Sequence, residues 1–231
     1  MLRILTALPS ALLLAACAAS GGGEESTALP PGVVRFAAIA DCQYADAPDA
    51  GERRYRESER KLRECVEDLF GEELAFAVHL GDFIDRDFAS IGVVQPIYQS
   101  LRCDTHHVLG NHDFEVASAR RAEVPAALGM PARYYDFAAG GWRFVVLDGN
   151  DLSLHGWADG GSAQRAAMDY RRRFAPEAPT WNGAIGPAQL AWLDQVLAAA
   201  DAAGEPVALF CHFPTLPEDR HSLWNAEEVL E

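Results

Sequence analysis

Four short apolar runs in this chain each stop abruptly at Asp, Asn or His, often beside a Gly. They end in the sequences Ala40-Asp-Cys-Gln43, Leu80-Gly-Asp82, Leu109-Gly-Asn-His112 and Phe210-Cys-His-Phe-Pro214. An apolar run bounded in this way is typical of a buried strand whose C-terminal end delivers polar side chains into a loop. Because such strand ends meet at one edge of an open α/β sheet, where ligands bind, the pattern predicts an α/β fold with a site there.

The polar residues at these strand ends share a ligand chemistry. They are Asp41, Gln43, Asp82, Asn111 and His212. Oxygen and nitrogen donors without thiolate suit hard or borderline divalent cations such as Mn²⁺, Mg²⁺, Fe or Zn²⁺. A single Asp before a loop is usually a turn former, and a single His is usually a satisfied core residue. Together, the five predict a site for two divalent metal ions.

The order of the motifs carries a family resemblance. The patterns D-x-Q, G-D-x-x-D, G-N-H-D and H-x-P, in this order, resemble the calcineurin-like metallophosphoesterase superfamily. Gln43 stands where most members have His, which is similar to the manganese-dependent ADP-ribose/CDP-alcohol diphosphatase branch. The segments 53–56, 181–183, 189–193 and 223–225 are similar to that branch too. The resemblance spans residues 34 to 231 and implies a β-sandwich flanked by helices, in the layer order αββα.

The resemblance also implies how the metal site is divided. Asp82 bridges the two ions, Asp41 and Gln43 hold one, and Asn111 and His212 hold the other. An amide oxygen at Gln43 makes its position harder, which favours Mn²⁺ or Mg²⁺ over Zn²⁺. A water between the two ions loses its proton and attacks phosphorus.

Two further residues receive catalytic roles from the resemblance. His112 stabilises or protonates the leaving group, and Asp85 hydrogen-bonds the His112 ring. Asp113 is expected to brace the loop. The implied reaction is hydrolysis of the diphosphate of nucleoside diphosphate compounds such as ADP-ribose or CDP-alcohols. The alternatives are a less specific phosphodiesterase or phosphomonoesterase of the superfamily, and a catalytically inactive binding module.

Aromatic and cationic residues outside the motifs are candidates for contacts with a nucleobase or a diphosphate. They are Tyr44, Arg54, Tyr55, Trp181 and Trp224. Ordinary packing is an equally open interpretation of each.

Composition limits the partners. The formal net charge is −15 over 231 residues, which argues against binding to nucleic acid or to an anionic membrane surface. A small nucleotide-type phosphate substrate remains compatible, because bound cations dominate the local field. With 49% hydrophobic residues, the chain can build one globular domain, which we expect to be a monomer.

The N-terminus is typical of a targeting segment. Residues 1–17 carry Arg3 and then an apolar run, and Leu14-Ala-Ala-Cys17 resembles a bacterial lipobox in which Cys17 becomes lipid-modified. Residues 18–32 are rich in Gly and Pro and predict a flexible linker before a domain over 33–231. The expected location is the bacterial cell envelope, lipid-anchored on its periplasmic or outer-membrane face. Cleavage by ordinary signal peptidase would instead give a secreted protein.

The remaining pattern predicts alternating strands and helices. Strands are expected over 33–40, 74–80, 105–109, 133–137, 142–147 and 207–211, and helices over 52–70, 88–101, 117–128, 162–174, 189–200 and from 225. The superfamily's last motif, G-H-x-H, is absent, so we expect a domain that is truncated at its C-terminus and weakened in metal binding. A Cys65–Cys103 disulfide remains open. His106 and His107 are expected to face opposite sides of their strand.

Overall fold

The computed structural model describes residues 32–217 and 219–231. The targeting segment, Cys17 and the linker up to residue 31 lie outside these residues. The strands are β1 (Phe36–Ile39), β2 (Phe76–His79), β3 (Asp104–His107), β4 (Tyr135–Ala139), β5 (Trp142–Val146), β6 (Leu152–Ser153), β7 (Gly183–Ala184) and β8 (Val207–Phe210). The α-helices are α1 (Glu57–Asp68), α2 (Ser90–Tyr98), α3 (Val124–Ala127), α4 (Ser162–Phe174), α5 (Pro187–Ala203) and α6 (Ala226–Leu230).

The strands form two three-stranded sheets and one short two-stranded sheet. The first sheet is parallel, in the order β1-β2-β3. The second has the order β4-β5-β8, with β4 antiparallel and β8 parallel to β5. The antiparallel pair of β6 and β7 lies within a stretch that the sequence pattern indicates as loop apart from one helix.

Aromatic residues from both sheets meet in the middle of the molecule. Phe76 of the first sheet lies with its ring centroid 4.7 Å from that of Phe144 and 5.0 Å from that of Phe137, both of the second. His106 stacks on Phe137 at a centroid distance of 3.7 Å. Burial of large apolar surfaces between the sheets is the main stabilising term of such a sandwich.

Helices cover the outer faces. Leu62 of α1 and Tyr98 of α2 join the buried cluster of the first sheet. On β5, Val145 faces outward and packs with Leu193 of α5, because successive side chains of a strand alternate between its faces. The predicted αββα order is therefore confirmed.

The elements differ from the sequence prediction in places. The helix expected over 117–128 is a 3-10 helix over Ser118–Glu123 followed by one turn of α-helix. Pro125 at the start of that turn interrupts the N–H pattern that a longer helix needs. Helix α5 is longer than expected. It begins at Pro187 and ends at Ala203, and the following Gly204 has a left-handed backbone with φ 68°.

The structure shows the state of four cysteines and the directions of two adjacent histidines. Cys42, Cys65, Cys103 and Cys211 are all free thiols. His106 points between the sheets, whereas His107 contacts Phe83 and Tyr98 on the helix-covered face, as expected from strand geometry. Among the helices in the described part of the chain, none combines the length and apolar character that a bilayer span requires.

Candidate functional site

The loops that follow β1 and β2 have an unusual backbone. Asp41, Gln43 and Asp82 have φ angles of 54°, 45° and 55°, in the left-handed region that residues other than Gly rarely adopt. The two loops are joined by a hydrogen bond of 2.8 Å from the Gln43 N–H to the Asp82 carbonyl. Such strain persists only where surrounding contacts enforce it, and it is concentrated at functional sites.

One buried carboxylate holds much of this strained backbone in place. Asp113 accepts hydrogen bonds from the backbone N–H groups of Asp82 (3.1 Å), Phe83 (2.8 Å), Ile84 (3.1 Å) and Gly110 (2.8 Å). Burial, followed by the nearby Asp82 charge, raises the pKa of Asp113 to about 7. Asp113 thus braces the loops after β2 and β3, as the sequence led us to expect.

Two glycines allow these loops to approach closely. A Cβ at Gly81, which has φ 99°, would lie 2.6 Å from Nδ1 of His212. A Cβ at Gly110 would lie 2.1 Å from Oδ1 of Asp82. Any side chain at either position would push the polar residues apart.

Asp82 lies at the centre of the site. Its Oδ2 accepts a hydrogen bond of 3.0 Å from Nε2 of Gln43, and its Oδ1 lies 3.5 Å from Nε2 of His212. The His212 Nδ1 is 2.9 Å from the Leu80 carbonyl. As donor to that carbonyl, Nδ1 carries the ring proton, which leaves Nε2 free to act as a ligand.

The structure brings all five sequence-predicted ligand residues to one cavity of about 610 Å³. They are Asp41, Gln43, Asp82, Asn111 and His212. Partial burial, followed by the Asp82 charge, raises the pKa of Asp41. Their oxygen and nitrogen donors fit a hard divalent ion. Burial raises the pKa of the neighbouring Cys42 thiol to about 12, so Cys42 offers no thiolate.

His112 lies beside this group, and each of its ring nitrogens lies near a charged side chain. Its Nδ1 is 3.2 Å from Oδ2 of Asp85 and 3.5 Å from Oε1 of Glu115, and its Nε2 is 2.9 Å from Nη2 of Arg53. A guanidinium only donates, so Nε2 of His112 accepts and the proton lies on Nδ1, facing Asp85. Burial lowers the pKa of His112, but Asp85 and Asp82 outweigh it, so the net pKa is raised.

Asp85, His112 and Glu115 form a second cluster of metal-ligating groups. One ligand atom from each lies within 4.8 Å of the others. However, Nη1 of Arg53 lies 3.7 Å from Oδ2 of Asp85. In this cluster a guanidinium therefore already supplies the positive charge that a metal ion would bring.

Trp181 is the one candidate substrate-contact residue that lines the cavity of the ligand residues. Its side chain is 40% exposed, and the guanidinium carbon of Arg220 lies 5.0 Å from its ring centroid. His221 lines the same wall. The four other candidates lie elsewhere.

Those four have structural contacts of their own. Tyr44 is buried, and the buried Tyr55 accepts a hydrogen bond of 3.0 Å from Arg86. Arg54 pairs with Asp49 at 3.0 Å. The indole of Trp224 donates to the carbonyl of residue 179. Arg54 and Tyr55 do line a neighbouring cavity of about 410 Å³, which also borders Asp41 and Gln43.

Two asparagine side chains hold together the segments that form the wall facing the ligand residues. Asn182 donates from Nδ2 to the carbonyls of Arg220 (2.8 Å) and Ser222 (2.9 Å). The Asn225 side chain accepts from the Ile185 N–H at 3.0 Å and donates to the Ile185 carbonyl at 2.9 Å. The motifs at 181–183 and 223–225 therefore join two distant segments of the chain.

Sequence reasoning missed Arg53, Glu115, Asn182 and Arg220. Arg53 was within a motif that carried the resemblance, but the motif does not tell which of its arginines enters the site. Glu115 follows the G-N-H-D motif by two residues, and that proximity was its only signal.

Comparison with known proteins agrees with this geometry. The family model described as calcineurin-like phosphoesterase matches residues 34–231. The chain is 31% identical to a manganese-dependent ADP-ribose/CDP-alcohol diphosphatase from Oryza sativa subsp. japonica, over 84% of this chain and 71% of that protein. It is 30% identical to the protein of the same name from Danio rerio, over 86% and 76%.

A solved structure is similar over the same region. The crystal structure of a dimetal phosphatase from Danio rerio has a TM-score of 0.73 and 29% sequence identity, and covers 86% of this chain and 76% of that one. The family match extends over most of the chain and includes every residue of the cavity described above. This chain belongs to the calcineurin-like phosphoesterase family.

Proposed function

We propose that the chain hydrolyses the diphosphate bond of nucleoside diphosphate compounds such as ADP-ribose and CDP-alcohols. The observation that carries the proposal is the convergence of five oxygen and nitrogen donors on one cavity around Asp82. The relatives' names support the substrate class and favour Mn²⁺ as the metal.

The donor set divides around Asp82. Asp41 and Gln43 would hold one divalent ion, Asn111 and His212 the other, and Asp82 both. When bound, such ions supply positive charge for the phosphoryl oxygens and activate water. Gln43 would ligate through Oε1, since its Nε2 already donates to Asp82.

The chain's own residues act on the leaving side. Water adds to one phosphorus, the bridging P–O bond breaks, and the departing phosphate takes the electron pair. His112 is held by Asp85 at 3.2 Å and lines the cavity, where its ring faces the leaving oxygen in the proposed arrangement. Glu115 and Arg53 complete the surroundings of that ring.

An assay in Mn²⁺-containing buffer tests the proposal. Turnover of ADP-ribose, CDP-choline and a chromogenic phosphodiester would be compared, with product identified by chromatography. We expect both diphosphates to be cleaved with higher kcat/KM than the phosphodiester. Faster cleavage of the phosphodiester would indicate a less specific phosphodiesterase, and no turnover of any substrate would indicate a binding module.

We also propose an envelope location through lipid on Cys17, which is supported by the sequence pattern of residues 1–17 alone. Metabolic labelling with a radioactive or alkyne-tagged fatty acid in a bacterial host tests it. The native sequence should incorporate the label and Cys17→Ser should not. Equal labelling, or none in either, would contradict the proposal.

A further inference from the structure

The guanidinium of Arg53 enters the site from a loop whose other arginines turn away. Arg54 pairs with Asp49 at 3.0 Å and Arg56 with Asp46 at 2.6 Å. Arg53 instead contacts His112 and Asp85, and it lines both the 610 Å³ cavity and the neighbouring 410 Å³ cavity. From this placement we infer that Arg53 binds the leaving phosphate and makes the site selective for diphosphates. The inference rests on the proposed function.

The backbone fixes the position of Arg53. Residues Ala50 and Arg53 exchange two backbone hydrogen bonds of 3.2 and 3.0 Å, which form an antiparallel bridge immediately before α1. This bridge directs neighbouring side chains differently, so Arg53 reaches the cavity while Arg54 reaches Asp49. The placement of Arg53 therefore follows from the turn.

The Arg53 guanidinium has N–H donors that its present partners do not use. Nη2 contacts Nε2 of His112 at 2.9 Å, and Nη1 lies 3.7 Å from Oδ2 of Asp85. A guanidinium has five N–H donors, and the Arg53 side chain is 44% exposed. It can therefore hold its present partners and still present N–H groups to a phosphate in the cavity, in the paired geometry that phosphate accepts.

The side on which Arg53 lies determines which phosphate it meets. Its contact with His112 places it on the leaving side of the proposed reaction. When the bridging P–O bond breaks, the departing phosphate gains negative charge. A permanent cation beside it stabilises that charge most in the transition state. A phosphodiester that loses a phenolate has no second phosphate for Arg53 to bind.

Steady-state kinetics of Mn²⁺-loaded protein test the inference, with Arg53→Ala, Arg53→Lys and the matched control Arg56→Ala. For ADP-ribose we expect Arg53→Ala to lower kcat/KM by about 10² to 10³-fold, the scale of other arginines that stabilise a transferring phosphate. For a p-nitrophenyl phosphodiester we expect less than a roughly 10-fold loss. Arg53→Lys should recover only part of the loss, because an ammonium is a point charge without the paired donors. Arg56→Ala, whose guanidinium pairs with Asp46 and lies outside both cavities, should behave like the native chain.

A binding measurement separates this inference from the proposed function. By calorimetry, the native Mn²⁺-loaded chain should bind α,β-methylene-ADP more tightly than AMP, and Arg53→Ala should remove most of that preference. Equal losses on both substrate classes, or an unchanged preference in Arg53→Ala, would overturn the inference while leaving diphosphate hydrolysis in place. If the native chain cleaves no diphosphate, the proposed function fails. In that case, the preference for α,β-methylene-ADP over AMP is the only measurement that tests whether Arg53 recognises a second phosphate.

Discussion

The cavity has two walls that are built by different means. The ligand wall, around Asp41, Gln43, Asp82 and Asn111, has strained backbone and is braced from below by the buried Asp113 carboxylate. The facing wall, around Trp181 and Arg220, has exposed side chains and is fastened through backbone carbonyls by Asn182. The ligand wall holds its polar side chains in one arrangement. On the facing wall, side chains can be substituted without loss of the fold.

This difference matches what the proposed function requires of each wall. Metal coordination tolerates errors of only a few tenths of an ångström, so the ligand wall needs over-determined loops. A nucleoside is recognised over a larger and softer surface, for which exposed aromatic and cationic groups suffice. Substitutions on the ligand wall should therefore remove function or stability, and substitutions on the facing wall should adjust affinity.

The largest effect is expected at Asp82. Asp82→Asn keeps the shape but removes the charge shared by the two ligand pairs. We expect kcat/KM with CDP-choline to fall by roughly 10⁴-fold, about 5.5 kcal/mol, together with loss of bound Mn²⁺ measured by elemental analysis. The exposed Asp87→Asn in the same loop is the control. Retained metal and turnover in Asp82→Asn would place the centre of the site elsewhere.

A substitution at Asp113 tests whether its carboxylate holds the loops after β2 and β3 in place. Asp113→Ala leaves four backbone N–H groups without their acceptor, so we expect the free energy of unfolding to fall by about 3 kcal/mol or more. Urea denaturation measures the change. Asp87→Ala removes a single exposed acceptor of the Ala89 N–H and should cost about 1 kcal/mol. A loss no larger than that of the control would show that the loops hold their shape without the carboxylate.

His112 separates a leaving-group role from metal ligation. His112→Ala should lower kcat with CDP-choline by about 10²-fold, because the group beside the leaving oxygen is lost. Its Mn²⁺ content should equal that of the native chain. A variant that loses metal would instead make His112 a ligand, in line with its position among Asp85 and Glu115.

The core beneath the ligand wall should respond to acid. Burial lowers the pKa of His107 to about 3 from the ordinary 6.5, and lowers that of His79 as well. Below pH 6.5 the unfolded chain binds protons at these residues that the folded chain does not. The free energy of unfolding therefore keeps its full value above pH 6.5 and decreases as the pH falls toward 3. At pH 5, His107 alone should lower it by about 2 kcal/mol.

Urea denaturation from pH 7 to 4 measures this slope. His107→Phe, or His107→Leu if the larger ring does not fit, should flatten the dependence on pH. The exposed His221→Gln should leave it unchanged. The same slope in all variants would mean that other groups cause the acid response.

The smallest effect is expected on the facing wall. Trp181→Ala should raise KM for ADP-ribose by about 5 to 10-fold with little change in kcat, the scale of one lost stacking contact of about 1 kcal/mol. Trp181→Phe keeps an aromatic face and should stay within about 3-fold of the native KM. A drop in kcat rather than a rise in KM would show that the facing wall also positions the reacting groups.

The sequence predicted the six longer strands and the polar residues that follow four of them, because an apolar run followed by Asp, Asn or His has few alternatives in an α/β fold. It missed the two-residue strands β6 and β7, which are too short to show a pattern. It could not predict which arginine of residues 53–56 enters the cavity, since a two-residue bridge in a loop sets that direction. The roles of Trp224 and Tyr55 as packing residues were also hidden, because buried and ligand-facing aromatics look alike in a pattern. The left-handed backbone at Gln43 had no signal, since neither Gly nor Asn occupies the position.

The Asp113 carboxylate has one more consequence. It gathers amides that follow two different strands, so neither loop can open without releasing the other. Hydrogen exchange at these amides would then proceed as one cooperative unit. An incoming cation meets loops that were ordered when the chain folded, so little conformational entropy is left to lose on coordination.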